Sequence, residues 1–440
     1  MRLPDETESV CPVCLRPVGA LLVPEGDEVF MKKSCPEHGD FSCVVWRGVE
    51  SWKAWRGPKA PPAPELGRNP ACPGACGLCS FHAQKTCAVV LDVTSRCLLR
   101  CPVCFADAGS EDPDPPLELL LERMEKMRPQ VGEAVLQLSG GEPTLRPDLP
   151  LLVEGARKRG FGAVQLNTNG LALAEDPALA PRLRDAGLGW VFLQFDGLSE
   201  RSSRRLRDKD LREPRERAVE ACARAELGVV LVPTLVRGVN DGELGDLVRF
   251  ALGHFPTVRG VHVQPMSFFG RYSLEPQDHR RITLPEVLAL LEEQTGGMVR
   301  REHFHPAGCE HERCSCRGTY RVEGPGRLVP LGGTPCACRS QSAEEGRSRA
   351  VESVRRRWGA SLEKRDDDGA GDALDRFLRQ EGRVLFSVSA MAFQDAWNLD
   401  LRRLRECCIH AAAPDGRLVP FCAWNLTAAD GTPLYRRGAG

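Results

Sequence analysis

The chain has no long apolar run. Nothing in it approaches the roughly 18 consecutive apolar residues that a spanning helix needs, so no transmembrane segment is expected. It has no charge surplus either: 59 basic residues face 60 acidic ones, for a formal net charge of -1. That balance argues against a broad nucleic-acid surface or a polybasic membrane surface. Aromatic residues make up only 6%, which further weakens a nucleic-acid reading. The opening Met1-Arg2-Leu3-Pro4-Asp5-Glu6-Thr7-Glu8 is polar and acidic, unlike a secretion signal, and a cytoplasmic location is expected.

What the chain does have is cysteine. Its 440 residues, 42% of them hydrophobic, suffice for two to four globular domains, and they include 20 cysteines. In a large chain without an export signal these read as metal ligands, not disulfides. They cluster at 11–43, 72–104, 309–338 and 407–422, with Cys222 alone, which implies several separate metal sites.

The organising stretch is Cys97-Leu98-Leu99-Arg100-Cys101-Pro102-Val103-Cys104, a C-x3-C-x2-C loop directly after the apolar run Ala88-Val89-Val90-Leu91-Asp92-Val93. Three thiolates hold three corners of an iron–sulfur cube, leaving the fourth iron open to a non-protein ligand unless another cysteine closes it. From Ala88 to about Gly297 strand-like and helix-like runs alternate. The strands are expected at Ala88–Val93, Ala134–Leu138, Ala163–Leu166, Trp190–Phe195, Val229–Pro233 and Gly260–Val263. Six such units predict an α/β fold, an open partial (β/α)6 barrel of parallel strands with helices outside. Chemistry in such barrels sits at the C-terminal ends of the strands. Those ends carry the cysteine loop, then Ser139-Gly140-Gly141-Glu142-Pro143, then Asn167-Thr168-Asn169-Gly170. Gln194 and Asp196 follow on one face of strand four, and Ser267 and Arg271 come after strand six. The glycine pair lets backbone approach a ligand, Glu142 can accept from an amine, and the asparagines suit sugar hydroxyls.

Around this core the spacing predicts three further pieces. Residues 1–58 hold Cys11, Cys14, Cys35 and His38, a C-x2-C…C-x2-H set for one tetrahedral zinc or iron, as in a zinc ribbon or rubredoxin, with a β-hairpin between the knuckles. Residues 59–87 form a proline-rich linker followed by Cys72, Cys76, Cys79 and Cys87, read as an auxiliary iron–sulfur cluster with a zinc ribbon as the rival. Residues 298–440 are read as a cysteine-rich α+β extension with a second auxiliary cluster on Cys309, Cys314, Cys408 and Cys422, Cys407 being the rival of Cys408. Cys336 and Cys338 are expected to be surface thiols. The basic run Arg201–Arg207 is expected to be a solvated face.

The C-x3-C-x2-C loop, the Gly-Gly-Glu-Pro loop and the Thr168-Asn169-Gly170 loop, in register after successive strands, resemble the radical SAM superfamily over about residues 86–297. The resemblance implies a [4Fe-4S] cluster on Cys97, Cys101 and Cys104 and S-adenosylmethionine on its open iron. Gly140, Gly141 and Glu142 would lie at the methionyl amine, and Asn167, Asn169, Gln194 and Asp196 at the ribose and carboxylate. Phe105 stands after the third cysteine where the superfamily has an aromatic just before it (here Val103), so adenine packing is expected to be rearranged. Reductive cleavage to a 5′-deoxyadenosyl radical would follow, fed by a low-potential ferredoxin or flavodoxin in a low-oxygen setting. A narrower resemblance rests on Cys76-Gly77-Leu78-Cys79, Leu193-Gln194-Phe195-Asp196-Gly197, Cys309-Glu310-His311 and Val419-Pro420-Phe421-Cys422. It points to the branch holding tetraether lipid synthases, TrsS-like (seleno)proteins and proteins of older hydroxymethylpterin-methylation naming. That branch implies hydrogen abstraction from an unactivated carbon of a lipid or small molecule, with carbon–carbon coupling or pterin methylation as outcomes. A multi-cluster electron carrier is the competing class; it has no need of the pocket loops.

Overall fold

The computed structural model describes residues 4–57, 71–110, 112–324, 326–332, 342–359 and 385–436. Cys336, Cys338 and the proline-rich stretch up to residue 70 lie outside them.

The N-terminal module is an antiparallel meander of β1 (Asp5–Val10), β2 (Pro17–Glu25), β3 (Glu28–Cys35) and β4 (Gly39–Arg47), closed by α1 (Val49–Ala54). In β3 apolar Val29 and Met31 alternate with more exposed neighbours, the pattern of a strand with one face on the core. The expected hairpin between the metal knuckles is β2–β3, in register from Ala20↔Lys33 to Glu25↔Glu28. Cys43 is a buried thiol pushed up to about 12 by burial.

The core is a sheet in which β5 (Ala88–Thr94), β6 (Val135–Gly140), β7 (Ala163–Thr168), β8 (Trp190–Gln194), β9 (Gly228–Val232) and β11 (Val258–Pro265) run parallel in that order. The short β10 (Thr234–Leu235) adds to β11. Five of the strands are buried at nearly every position, as parallel strands covered on both faces must be. The covering helices include α2 (Leu117–Val131), α3 (Leu149–Lys158), α4 (Leu171–Glu175), α5 (Leu179–Asp185), α6 (Glu200–Arg207), α7 (Arg212–Arg224), α8 (Leu244–Gly253) and α9 (Leu284–Gln294). The six expected strands are therefore present as a partial barrel.

The C-terminal residues do something the periodicity did not show. β12 (His305–Pro306), β13 (Ser315–Val322) and β14 (Leu328–Pro330) form an antiparallel group, which β15 (Leu385–Met391) joins to β11. β15 runs parallel to β11, with Gly260↔Ser387 in register. At the other edge β16 (Ile409–Ala412) runs parallel to β5, Ile409 opposite Ala88, and β17 (Leu418–Pro420) pairs with β16. The sheet thus crosses the expected boundary at 297/298: the C-terminal residues cap both open edges of the barrel. Covering edges in this way removes unpaired backbone donors and acceptors. Outside the sheet, α10 (Ala343–Trp358) opens on the capping box Ser342/Glu345, and α11 (Leu401–Arg405) and α12 (Phe421–Trp424) flank β16 and β17.

Candidate active site and metal centres

At the C-terminal end of β5 the chain turns into the three-cysteine loop. Arg271 holds that loop: Nε donates to Cys101 O at 2.9 Å, Nη2 to Ala108 O at 3.0 Å, and Nη1 meets Asp107 at 3.1 Å. The backbones of Cys104 and Arg271 also exchange hydrogen bonds at 2.9 Å in both directions. Arg271 was expected at the cofactor; its guanidinium instead clamps loop backbone and does not line the cavity. Gly270, at φ +64°, permits this approach, since a Cβ there would meet Cys104 O at 2.4 Å.

The Gly-Gly-Glu loop is fastened to the same junction. Gly141 N donates to Thr94 O and Glu142 N to Arg96 O. A Cβ on Gly140 (φ +120°) would strike Thr94 O at 2.2 Å, and one on Gly141 would strike Arg96 O at 2.1 Å, so only glycine fits. Glu142 is buried, and burial raises its pKa. Its Oε1 accepts from Thr144 (N and Oγ1) and Thr168 Oγ1, while Oε2 accepts only from Asn169 N at 2.7 Å. Oε2 therefore keeps capacity for one more donor.

Asn169 is nearly buried; its Oδ1 accepts from Leu171 N, but its Nδ2 is buried with no partner. An unpaired buried amide beside the cluster loop is what a polar ligand would satisfy. Asn167 faces the same space and binds Gln165 at 2.7 Å. Ser267 lines it too, with its hydroxyl donating to Phe393 O at 3.0 Å. Phe105 packs on Phe421, whose ring lies tilted against Phe393, and the three make an aromatic wall beside the cysteines.

Asp196 departs from expectation. Its carboxylate is buried and bound by Arg207 at 2.6 and 2.8 Å, by Arg215 at 3.0 Å and by Thr234 N at 3.1 Å. It does not line the cavity. Burial opposes its ionisation, but Arg207 and Arg215 outweigh that and hold the carboxyl at about 2. Arg207 also donates to Val103 O in the cysteine loop at 3.0 Å, so strand four acts on the cluster loop through this ion pair. Gln194 lines the cavity, and its amide oxygen faces the Arg207 guanidinium. The basic run Arg201–Arg207 is helical: Arg201, Arg204 and Arg205 are exposed as expected, but Arg207 is buried.

These loops open onto one cavity of about 500 Å³. Its lining includes the last residues of the strands (Ser139, Thr168) and the first ones (Ala88, Val135), so it runs the length of the barrel interior. The inner half carries Gln137, Gln165, His262, Glu310, Arg317 and Arg357. His262, hydrogen-bonded to Ser389 at 2.8 Å, is lowered to about 4 by burial and is neutral near pH 7.

In the N-terminal module the donor atoms of Cys11, Cys14, Cys35 and His38 lie within 4.8 Å of one another, as a tetrahedral metal requires. A hydrogen bond from His38 lowers Cys35 to about 6. The other cysteines regroup. Cys87 does not join Cys72, Cys76 and Cys79; its sulfur lies with those of Cys309 and Cys408, again within 4.8 Å. Cys72 and Cys76 are 3.8 Å apart, and these two with Cys79 line a separate cavity of about 230 Å³. Cys79 and Cys407 are both near enough for their charges to raise Cys76. Cys314 and Cys422 are likewise near Cys407, and neither belongs to the compact Cys87, Cys309 and Cys408 group. The physical reason for the regrouping is β16: laying it beside β5 brings Cys408 next to Cys87, a pairing across 321 positions that no local spacing encodes.

Comparison with known proteins agrees with this geometry. Residues 91–251 match the model of the radical SAM superfamily, and residues 3–47 that of the HMPTM N-terminal zinc ribbon domain. The chain belongs to the radical SAM superfamily and is an enzyme of that class. Within it, the chain falls in the family of the 7,8-dihydro-6-hydroxymethylpterin dimethyltransferase of Methanocaldococcus jannaschii, with 34% identity over 96% of this chain and 93% of that one. A probable GTP 3',8-cyclase of Methanothermobacter marburgensis is 32% identical over 38% of this chain, which spans about half (55%) of that enzyme. Among solved structures, Streptococcus suis SuiB bound to precursor peptide SuiA aligns at a TM-score of 0.42 and 15% identity, covering 50% of this chain and 48% of that one. Among the described residues no helix is long and apolar enough to cross a membrane.

Proposed function

We propose that the chain binds a [4Fe-4S] cluster on Cys97, Cys101 and Cys104 and S-adenosylmethionine beside it, and uses them to abstract hydrogen from a carbon of a small polar substrate held in the barrel. The observation that carries this is the convergence on one cavity of three thiols, a glycine pair that tolerates no side chain, and the unpaired amide of Asn169. The bound cluster and S-adenosylmethionine would supply a 5′-deoxyadenosyl radical, which reaches C–H bonds that no base can deprotonate. The chain's residues then have distinct tasks. Glu142 Oε2 accepts from the methionyl amine, and Asn169 Nδ2 donates to a ligand oxygen. Phe105, Phe393 and Phe421 shield the adenine side from water, and Arg207 and Arg271 fix the cysteine loop.

The inner half of the cavity sets Gln137, Gln165, His262, Glu310 and the arginines among Val135, Phe192, Val351 and Trp358, which suits a flat heteroaromatic with several hydrogen-bonding edges. The pterin named for the Methanocaldococcus relative is of that kind. Coupling of lipid chains is the second reading, favoured by the motifs shared with tetraether lipid synthases. Cys72, Cys76 and Cys79, with Cys407 nearby, are the best candidates for an auxiliary cluster. The N-terminal set holds zinc or iron, and a ferredoxin or flavodoxin supplies electrons under low oxygen. The test is anaerobic: reduce the iron-loaded protein, add S-adenosylmethionine and measure 5′-deoxyadenosine. Cleavage dependent on Cys97 supports the reading; fully loaded clusters without cleavage at low potential leave an electron carrier. Adding a reduced pterin or a lipid then separates the two substrate classes by which one stimulates cleavage.

A further inference from the structure

The cavity that begins at the cysteine loop is closed at its other end by α10. Val351 and Trp358 of that helix pack among Ala88, Val135, Ala163 and Trp190, the first residues of β5, β6, β7 and β8. Gly346, Ala350, Val354 and Arg357 recur at helical spacing and face the cavity. Arg317 of β13 reaches the same space: it stands opposite Ser389 of β15, which stands opposite His262 of β11. Ser353 ties the two arginines together. Arg357 Nε donates to its backbone oxygen at 3.0 Å, and Arg317 Nη1 donates to its hydroxyl at 3.4 Å. Among the described residues no other hydrogen bond and no ion pair engages either guanidinium. Arg357 is only 5% exposed. Burial pulls it down to about 9, the charge of Arg317 acts the same way, and Glu310 offsets only part of this. Among the described residues Glu310 is the carboxylate whose charge reaches these arginines, and no cysteine does so.

We propose that Arg317 and Arg357 form a subsite for an oxyanion carried by the substrate, a phosphate ester or a carboxylate, at the end of the cavity away from the cysteine loop. Two guanidiniums held out of water without a paired carboxylate are costly to the fold, and a bound oxyanion offsets that cost. The planar fork of arginine matches two oxygens of such a group at once. Arg349, exposed at the rim of the same cavity, adds positive charge on the approach. His262 on the same wall is neutral near pH 7 and adds none. A neutral heteroaromatic by itself would leave both arginines unmatched. The subsite therefore narrows the substrate class to one with an acidic group at one end. Anchoring that end at α10 directs the rest of the molecule along the cavity toward the cysteine loop, and so selects which carbon lies nearest the cofactor. The role as an anchor rests on reading the cavity as the substrate chamber of a radical enzyme; the binding of the anion does not.

The probes are inorganic phosphate and benzoate, titrated by calorimetry into the anaerobically purified, cluster-loaded full chain without reductant and with S-adenosylmethionine at saturation. One or both anions are expected to bind the wild type, and Arg317→Gln and Arg357→Gln are each expected to weaken that binding about tenfold or more. Tighter binding of phosphate assigns a phosphate ester to the subsite, tighter binding of benzoate a carboxylate. Arg357→Lys keeps the charge and loses the fork, and is expected to fall between wild type and Arg357→Gln. Iron content and S-adenosylmethionine affinity equal to wild type show that a variant is folded. Should Arg357→Gln not fold, Arg317→Gln, at a half-buried position of β13, gives the answer. No binding of either anion to the wild type, unchanged binding in the Gln variants, or an anion that displaces S-adenosylmethionine would overturn the proposal. Arginine-dependent anion binding in a protein that forms no 5′-deoxyadenosine on reduction would count against the radical reading and leave the subsite standing.

Discussion

Replacing Asp196 with Asn tests whether strand four acts on the cofactor directly or through an ion pair. Arg207 and Arg215 are both fully buried, and Asp196 is the carboxylate that neutralises them. Removing one partner of such a buried pair leaves uncompensated charge and costs about 3–5 kcal/mol. Asn keeps the volume and can still accept from Thr234 N, so the loss is electrostatic. Protonation gives a smaller version of the same effect. The carboxyl sits at about 2 in the fold against an ordinary 3.8. Its folded pKa is depressed, so its stabilisation is complete above pH 4 and is lost as pH falls toward 2, amounting to about 2 kcal/mol. The assay is denaturant unfolding of wild type and Asp196→Asn between pH 3 and 7, with S-adenosylmethionine binding measured on the same samples. The expected outcome is a variant less stable by about 3–5 kcal/mol above pH 4 and a gap that narrows below it. A variant of wild-type stability with weakened S-adenosylmethionine binding would refute the reasoning and return Asp196 to the cofactor.

Other outcomes follow from the same contacts. Gly141→Ala drives a methyl into Arg96 O at 2.1 Å; overpacking of about 1–3 kcal/mol should weaken S-adenosylmethionine binding severalfold to a hundredfold, checked by equilibrium dialysis. Glu142→Gln removes a charged acceptor for Asn169 N and Thr168 Oγ1 and should cost about 1.5–3 kcal/mol of binding, with iron content intact. His262 is lowered to about 4, so the fold resists its protonation. Its contribution to stability is complete above pH 6.5 and declines as pH falls toward 4, and His262→Gln should flatten that part of the stability curve. Arg271→Met frees the loop carbonyls of Cys101 and Ala108 and should lower iron retention under chelator challenge without changing the zinc-ribbon metal.

The local sequence determined much of this protein. Hydrophobic runs placed the six parallel strands within a few residues, because a strand buried on both faces must be apolar along its length. The C-x3-C-x2-C loop, the Gly-Gly-Glu loop and the zinc-ribbon knuckles were legible because their ligating or approaching atoms lie within a few residues of each other. Tertiary structure decided what depends on distant partners. Asp196 and Gln194 have the same strand periodicity, but only folding turns Arg207 and Arg215 onto Asp196 and so takes it from the cavity. Arg271 reads as a pocket residue until the Cys104 bridge shows that its guanidinium is spent on loop carbonyls. Cys87 reads with Cys79 by proximity in the chain, but β16 lies beside β5 and gives it to Cys408. The physical reason is common to all three: a side chain's role is set by which groups burial forces upon it, and parallel pairing joins segments whose separation along the chain carries no trace of the contact.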